Sequence, residues 1–157
     1  MKKVLLIAAF AIFGLGTVNA QGGFSGGVNL GIPVGDVSDF SSFSFGVDLN
    51  YMFNADEDFT YGAAAGYQNY SGKDGFDSTG FIPLAVVGRY AVSDKFSLGA
   101  DVGYALGAST GNDGGFYYRP MVVYGLSDSM NLNASYSGVS VTGGTYSNIG
   151  LGIMFDF

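Results

Sequence analysis

The chain of 157 residues has no cysteine, no histidine and no tryptophan. Without cysteine there are no disulfides, no thiolate nucleophile and no acyl-anchored lipoprotein site. Without histidine the usual acyl-transfer and hydrolytic sets lose their general base. No phosphate-binding loop, EF-hand loop or zinc spacing is present, so no catalytic, cofactor or metal residue is assigned and no enzymatic activity is expected. Charge is also scarce: 12% of residues are Asp, Glu, Lys or Arg, where a soluble domain carries about a quarter. The net charge is −7, and a nucleic-acid partner, which needs a basic face, is not expected.

Long apolar runs are missing too, apart from the N-terminus. Met1-Lys2-Lys3 is a basic start, Val4 to Leu15 is apolar except for Gly14, and Val18-Asn19-Ala20 ends in small residues. That is the pattern of a cleaved export signal over residues 1–20, with the mature domain at 21–157. The apolar run is shorter than the roughly 20 residues a membrane-spanning helix needs.

What is abundant is glycine and aromatic residues: 27 Gly, 14 Phe and 11 Tyr. From Gln21 onward they fall into about eight alternating segments, each near the 9–11 residues with which a tilted strand crosses a bilayer. The segments are Phe24–Ile32, Phe43–Phe53, Phe59–Tyr70, Phe81–Val92, Phe96–Gly107, Phe116–Leu126, Met130–Ser137 and Thr145–Phe157. The second is cleanest: Phe43, Phe45, Val47, Leu49, Tyr51 and Phe53 alternate with Ser44, Gly46, Asp48, Asn50 and Met52. Period two puts each set on one face.

Short connections at Asn54–Asp58, Ser93–Lys95 and Ser127–Ser129 alternate with longer ones at Pro33–Ser42, Ser71–Gly80, Ala108–Gly115 and Gly138–Gly144. Short turns on one side and longer loops on the other suit an eight-stranded antiparallel up-and-down transmembrane β-barrel. Pro83 and Pro120 fall inside strands, and a bulge or local irregularity is expected at each. The face opposite the large apolar residues is mostly Gly, Ser, Ala, Asn and Thr. Those small side chains suit the crowded inside of a narrow barrel. Phe24, Tyr51, Phe59, Tyr90, Phe96 and Phe155 are expected in one aromatic girdle, and Phe45, Tyr67, Tyr104, Tyr118 and Tyr136 in the other.

Four charges occupy the small-residue face: Asp48, Arg89, Asp101 and Arg119. In hairpin registry Arg89 and Asp101 are diagonal neighbours, and Asp101 and Arg119 similarly so. Opposite charges across strands support pairing, and buried charges must be paired or wet. The set reads as a plug that ties the barrel together, with a gated polar constriction as the alternative. Asp36, Asp39, Asp74, Asp77 and Asp113, with Phe40, Phe76 and Phe116 nearby, fall in loops or at loop ends. They read as solvated, with a cation or ligand surface as the alternative.

The last segment places Leu151, Ile153, Phe155 and Phe157 on one face. In this the chain resembles the C-terminal targeting strand of bacterial outer-membrane barrels. Taken whole, it resembles the small porin-family outer-membrane β-barrel proteins of Gram-negative bacteria. It is similar to the eight-stranded membrane domain of outer membrane protein A and to the Gly- and Tyr-rich barrels of the Bacteroidetes. Unlike outer membrane protein A, it is not expected to carry a periplasmic peptidoglycan-binding domain. The resemblance implies an outer-membrane location, contact with outer-membrane lipid, handling by periplasmic chaperones, insertion by the outer-membrane assembly machinery, and a monomer. The function it implies is structural or surface interaction with a largely plugged lumen, with a narrow channel for small solutes as the alternative.

Overall fold

A computed structural model describes residues 23–54 and 58–157. The expected export signal at 1–20 and the acidic pair Asp56 and Glu57 lie outside the described residues. Eight strands form, because alternating apolar and small residues satisfy period two while turn-forming residues separate them. They are β1 (Gly23–Val34), β2 (Ser41–Met52), β3 (Phe59–Gly72), β4 (Thr79–Ala91), β5 (Phe96–Gly107), β6 (Gly115–Ser127), β7 (Met130–Val141) and β8 (Gly144–Asp156). Each pairs antiparallel with its sequence neighbours, and β8 pairs with β1, from Ser25↔Asp156 to Val34↔Ser147. The all-β up-and-down barrel is therefore closed and has no open edge.

One end carries connections 35–40, 73–78, 108–114 and 142–143 (the loop end). The other carries 53–58, 92–95 and 128–129 (the turn end). The expected long loop Gly138–Gly144 does not form. β7 runs past Ser137 to Val141, which pairs directly with Gly144, and Gly143 takes φ +95° in the intervening turn. Glycine occupies that conformation without strain. The Gly and Ser of this stretch mark a tight turn and its flanking pairs rather than a loop. The connection expected at Pro33–Ser42 is shorter as well. β1 continues through Pro33 and Val34, and a 3-10 helix, η1 (Gly35–Asp39), follows.

Neither internal proline produces a bulge. β3 and β4 pair through Ala65↔Leu84 and resume at Gln68↔Phe81 in the same register, so Pro83 leaves a gap in the ladder. Pro120 does the same between Tyr118↔Gly138 and Met121↔Ser135. A missing N–H removes a bond but inserts no residue. Register shifts occur instead at Ser41/Phe43 and at Gly125/Ser127, both at strand ends.

The two faces separate sharply. Val28, Leu30, Ile32, Leu84, Val86 and Leu151 point outward, with Ile32 70% and Val86 69% exposed. The buried apolar cluster sits inside the barrel near the loop end: Val37 of η1 with Tyr70, Phe81, Ala105, Tyr117 and Val139. On the outside, aromatic rings cover glycines on neighbouring strands. A Cβ on Gly138 would lie 2.4 Å from the Tyr118 ring, one on Gly80 2.8 Å from the Tyr67 hydroxyl, and one on Gly88 3.6 Å from the Phe59 ring. Such rings shield backbone that glycine leaves bare.

Inner-face glycines leave room of another kind. A Cβ on Gly103 would sit 2.0 Å from the Leu84 carbonyl oxygen, a backbone atom with nowhere to move. Gly103→Ala is expected to destabilise the barrel by about 1–3 kcal/mol through overpacking. Gly88→Ala, which meets only ordinary contacts, is expected to stay within about 0.5 kcal/mol of the parent. Urea unfolding of the refolded protein checks the contrast.

Candidate functional site

Strand alternation sends Asp48, Arg89, Asp101 and Arg119 into the lumen. Asp101 is fully buried, and Arg89 and Arg119 are buried. Their neighbours make the space. Asp48 sits directly between Gly27 and Gly66 on the flanking strands, and Arg89 sits opposite Gly99. A Cβ on Gly99 would lie 2.6 Å from Arg89 Cδ. Glycine at these positions lets the long side chains lie across the inner wall.

The four charges form one connected network. Arg119 Nε donates to Asp101 Oδ2 at 2.8 Å, and Arg119 Nη2 lies 2.7 Å from the same oxygen. Arg119 Nη1 donates to Asp48 Oδ2 at 2.7 Å. Asn29 Nδ2 donates to that oxygen at 2.8 Å. Arg89 Nη1 is 2.7 Å from Asp101 Oδ1, but its N–H groups align on the Gly88 and Ala100 carbonyls. That contact is therefore ionic rather than a well-directed hydrogen bond. Two carboxylates and two guanidinium groups leave the network neutral.

Register refines the expected geometry. Arg89 and Asp101 are diagonal, since Asp101 pairs with Val87 and Arg89 with Gly99. Asp101 and Arg119 are directly opposite rather than diagonal, which brings their side chains closer. The sequence places Asp48 on the inner face but gives it no partner. In the barrel β2 lies across the lumen from β6, and the Asp48–Arg119 pair spans that diameter.

Further polar and aromatic contacts toward the loop end are not singled out by the sequence. Gln68 of β3 donates to Ser137 Oγ of β7 at 3.3 Å. Asn148 of β8 donates to Ser137 Oγ at 2.9 Å and to the Tyr70 hydroxyl at 3.0 Å. The Tyr70 hydroxyl donates to the Tyr146 carbonyl at 3.0 Å. Phe81 and Tyr146 meet across the barrel with ring centroids 5.0 Å apart. All these residues fall on the inner phase, so parity locates them. Nothing in the sequence says which would meet.

β8 turns Leu151, Ile153 and Phe155 outward. Phe157 follows it: its N–H donates to the Phe24 carbonyl at 2.9 Å, and its ring lies 3.4 Å from where a Cβ on Gly26 would stand. The four residues thus lie along the β8–β1 seam. The loop residues divide. Phe40 and Phe76 meet with centroids 5.0 Å apart, whereas Phe116 stacks on Tyr118 on the outer wall. Asp77 and Asp113 line an open cavity of about 600 Å³ between the loops, with Tyr146 also contributing to its wall. Among the described residues no group of three or more His, Cys, Asp or Glu could hold a metal ion.

Arg119→Leu leaves buried Asp101 and half-buried Asp48 facing one guanidinium. It is expected to cost about 3–5 kcal/mol. Asp48→Leu/Arg119→Leu leaves the neutral Arg89–Asp101 pair and is expected to lose less than the single variant. Equal losses in the two, measured by urea unfolding, would contradict the coupling.

No family model and no curated protein match the chain. Solved structures do. The crystal structure of Ail, the attachment invasion locus protein of Yersinia pestis, is 15% identical at a TM-score of 0.59, covering 87% of this chain and 97% of that one. Ail has also been crystallised with the heparin analogue sucrose octasulfate. Neisserial surface protein A is 14% identical at a TM-score of 0.55, covering 88% and 98%. A de novo designed transmembrane β-barrel is 13% identical at 0.58, covering 90% and 100%. The chain therefore shares the fold of small eight-stranded outer-membrane barrels.

Proposed function

We propose that the protein is a non-enzymatic integral outer-membrane β-barrel with an envelope or surface-interaction role and a sealed lumen. One observation carries this reading. Every charged residue within the eight strands (Asp48, Arg89, Asp101, Arg119 and Asp156) lies on the inward phase, while the outward phase carries the exposed large apolar side chains and no charge. Water would reward the reverse. Hydrocarbon rewards this arrangement, and a closed barrel satisfies the backbone within it.

In this reading the turn end faces the periplasm and the loop end faces outward. Export through the leader expected at 1–20, passage with periplasmic chaperones and insertion by the assembly machinery deliver a monomer into lipid. The outward girdle rings support the bilayer placement, since aromatic residues sit well at the headgroup level. The names of Ail and the Neisserial surface protein support a role at the cell surface.

The seal is the span from Asp48 to Arg119 together with the aromatic layer of Tyr70, Phe81, Tyr117 and Tyr146. A narrow channel is the second reading. It is favoured by Arg89 Nη2 and Asn50 Oδ1, which are buried in the lumen with no hydrogen-bond partner.

Two measurements decide. The refolded mature protein is expected to migrate differently on gels before and after boiling, with β-rich circular dichroism. A protein soluble without detergent and showing no shift would end the membrane reading. In planar bilayers the sealed barrel is expected to give no reproducible conductance step. Frequent steps abolished by changing Arg89 or Arg119 would replace the seal with a channel.

A further inference from the structure

The loop end carries two large apolar side chains outside the strands. Phe40 is 48% and Phe76 53% exposed, yet their rings meet edge to face at 5.0 Å and 73°. They belong to different connections, 35–40 and 73–78, and the backbone fixes them together. Lys73 N–H donates to the Phe40 carbonyl at 3.0 Å, and Lys73 Nζ donates to the Ser38 carbonyl at 2.7 Å. Phe76 N–H donates back to the Lys73 carbonyl at 3.0 Å. Asp74 and Gly75 take φ of 54° and 89° and turn the chain so that Phe76 returns to Phe40. A left-handed residue other than glycine signals a constrained turn. The pair is held in place before any partner arrives.

Neither residue belongs to a strand of the outer apolar wall. η1 folds over the barrel mouth, burying Val37 in the lumen cluster. Asp36 accepts from the Thr145 N–H at 3.3 Å, tying η1 to β8. Phe40 follows η1 at the mouth, before β2 begins at Ser41. Carboxylates flank the pair in sequence: Asp36 and Asp39 in one connection, Asp74 and Asp77 in the other. Lys73 is the one basic side chain in the described connections of this end, and it is engaged with Ser38.

From this arrangement we infer that Phe40 and Phe76 are the anchor of a docking site for a basic, apolar-cored protein segment. This deepens the surface-interaction reading and rests on it. Fixed aromatic side chains are the side chains around which binding energy concentrates, and their fixed positions reduce the ordering cost of association. Exposed aromatic rings attract arginine or lysine by cation–π interaction, and the aspartates of the same two connections supply the opposite charge. The same carboxylates repel sulfated and phosphorylated ligands.

The test uses the mature protein refolded in lipid nanodiscs. The probe is a labelled synthetic peptide of alternating Arg and Leu, with a Glu–Leu peptide and sucrose octasulfate as controls. The Arg–Leu peptide is expected to bind and both controls to fail. Phe40→Ala/Phe76→Ala is expected to weaken peptide binding by at least about tenfold. Asp39→Asn/Asp74→Asn is expected to weaken binding and remove most of its salt dependence.

The chain has no tryptophan, so Phe40→Trp gives a single reporter whose emission should shift to the blue when the peptide is added. Absence of peptide binding, or binding unchanged in Phe40→Ala/Phe76→Ala, overturns the proposal. So does quenching of the Phe40→Trp emission by brominated lipid, which would make the bilayer the occupant. A missing heat-modifiable band would instead show that the barrel reading itself had failed.

Discussion

Closure of the sheet is the constraint on which the rest depends. A strand satisfies its backbone only by pairing on both sides, and an apolar strand left at an edge recruits other chains. Pairing β8 with β1 removes both edges at once. Closure then forces each strand's alternation to become a division between inside and outside. The inside of an eight-stranded barrel is narrow enough that side chains fill it. The abundance of glycine follows from that crowding. It stands beside Asp48 and Arg89 on the inner wall and beneath Tyr118 and Tyr67 on the outer one.

The lumen is crossed rather than merely lined. Asp48 reaches Arg119 from β2 to β6, Gln68 reaches Ser137 from β3 to β7, and Phe81 meets Tyr146 from β4 to β8. Each pair joins strands on opposite sides of the barrel, so each resists ovalisation of the cross-section. The ionic layer is a choice with energetic consequences. A buried pair of this kind is roughly neutral against apolar packing, but it strongly penalises the loss of one member. It therefore discriminates against misregistered strands that would strand a charge, which apolar side chains do less sharply.

The two ends serve different ends of the same design. At the turn end Phe157 bonds to Phe24 and covers Gly26, closing the β8–β1 seam where it would otherwise fray. At the loop end η1 and the Lys73 contacts fix the connections against the mouth. A rigid scaffold that positions short, well-bonded loops is a common basis for recognition, because little order remains to be imposed on binding.

The sequence by itself determined the strand count, the alternation and the face each side chain takes. Those are local properties: period two follows from the pleat, and glycine and aspartate mark turns by their own backbone preferences. It also determined that Asp48, Arg89, Asp101 and Arg119 share the inner face, and that Arg89 and Asp101 are diagonal. It overestimated the connection after Ser137, because a tight turn and a loop use the same residue types. It expected a bulge or local irregularity at Pro83 and Pro120, and each leaves a gap in the ladder with the register unchanged, because a missing donor removes a bond without inserting a residue. Only the tertiary structure decided that Asp48 meets Arg119, that Tyr70 meets Asn148, and that Phe40 pairs with Phe76 rather than Phe116. Those contacts join residues far apart in sequence. They exist only once closure sets which strands face each other across the lumen and which loops share the mouth.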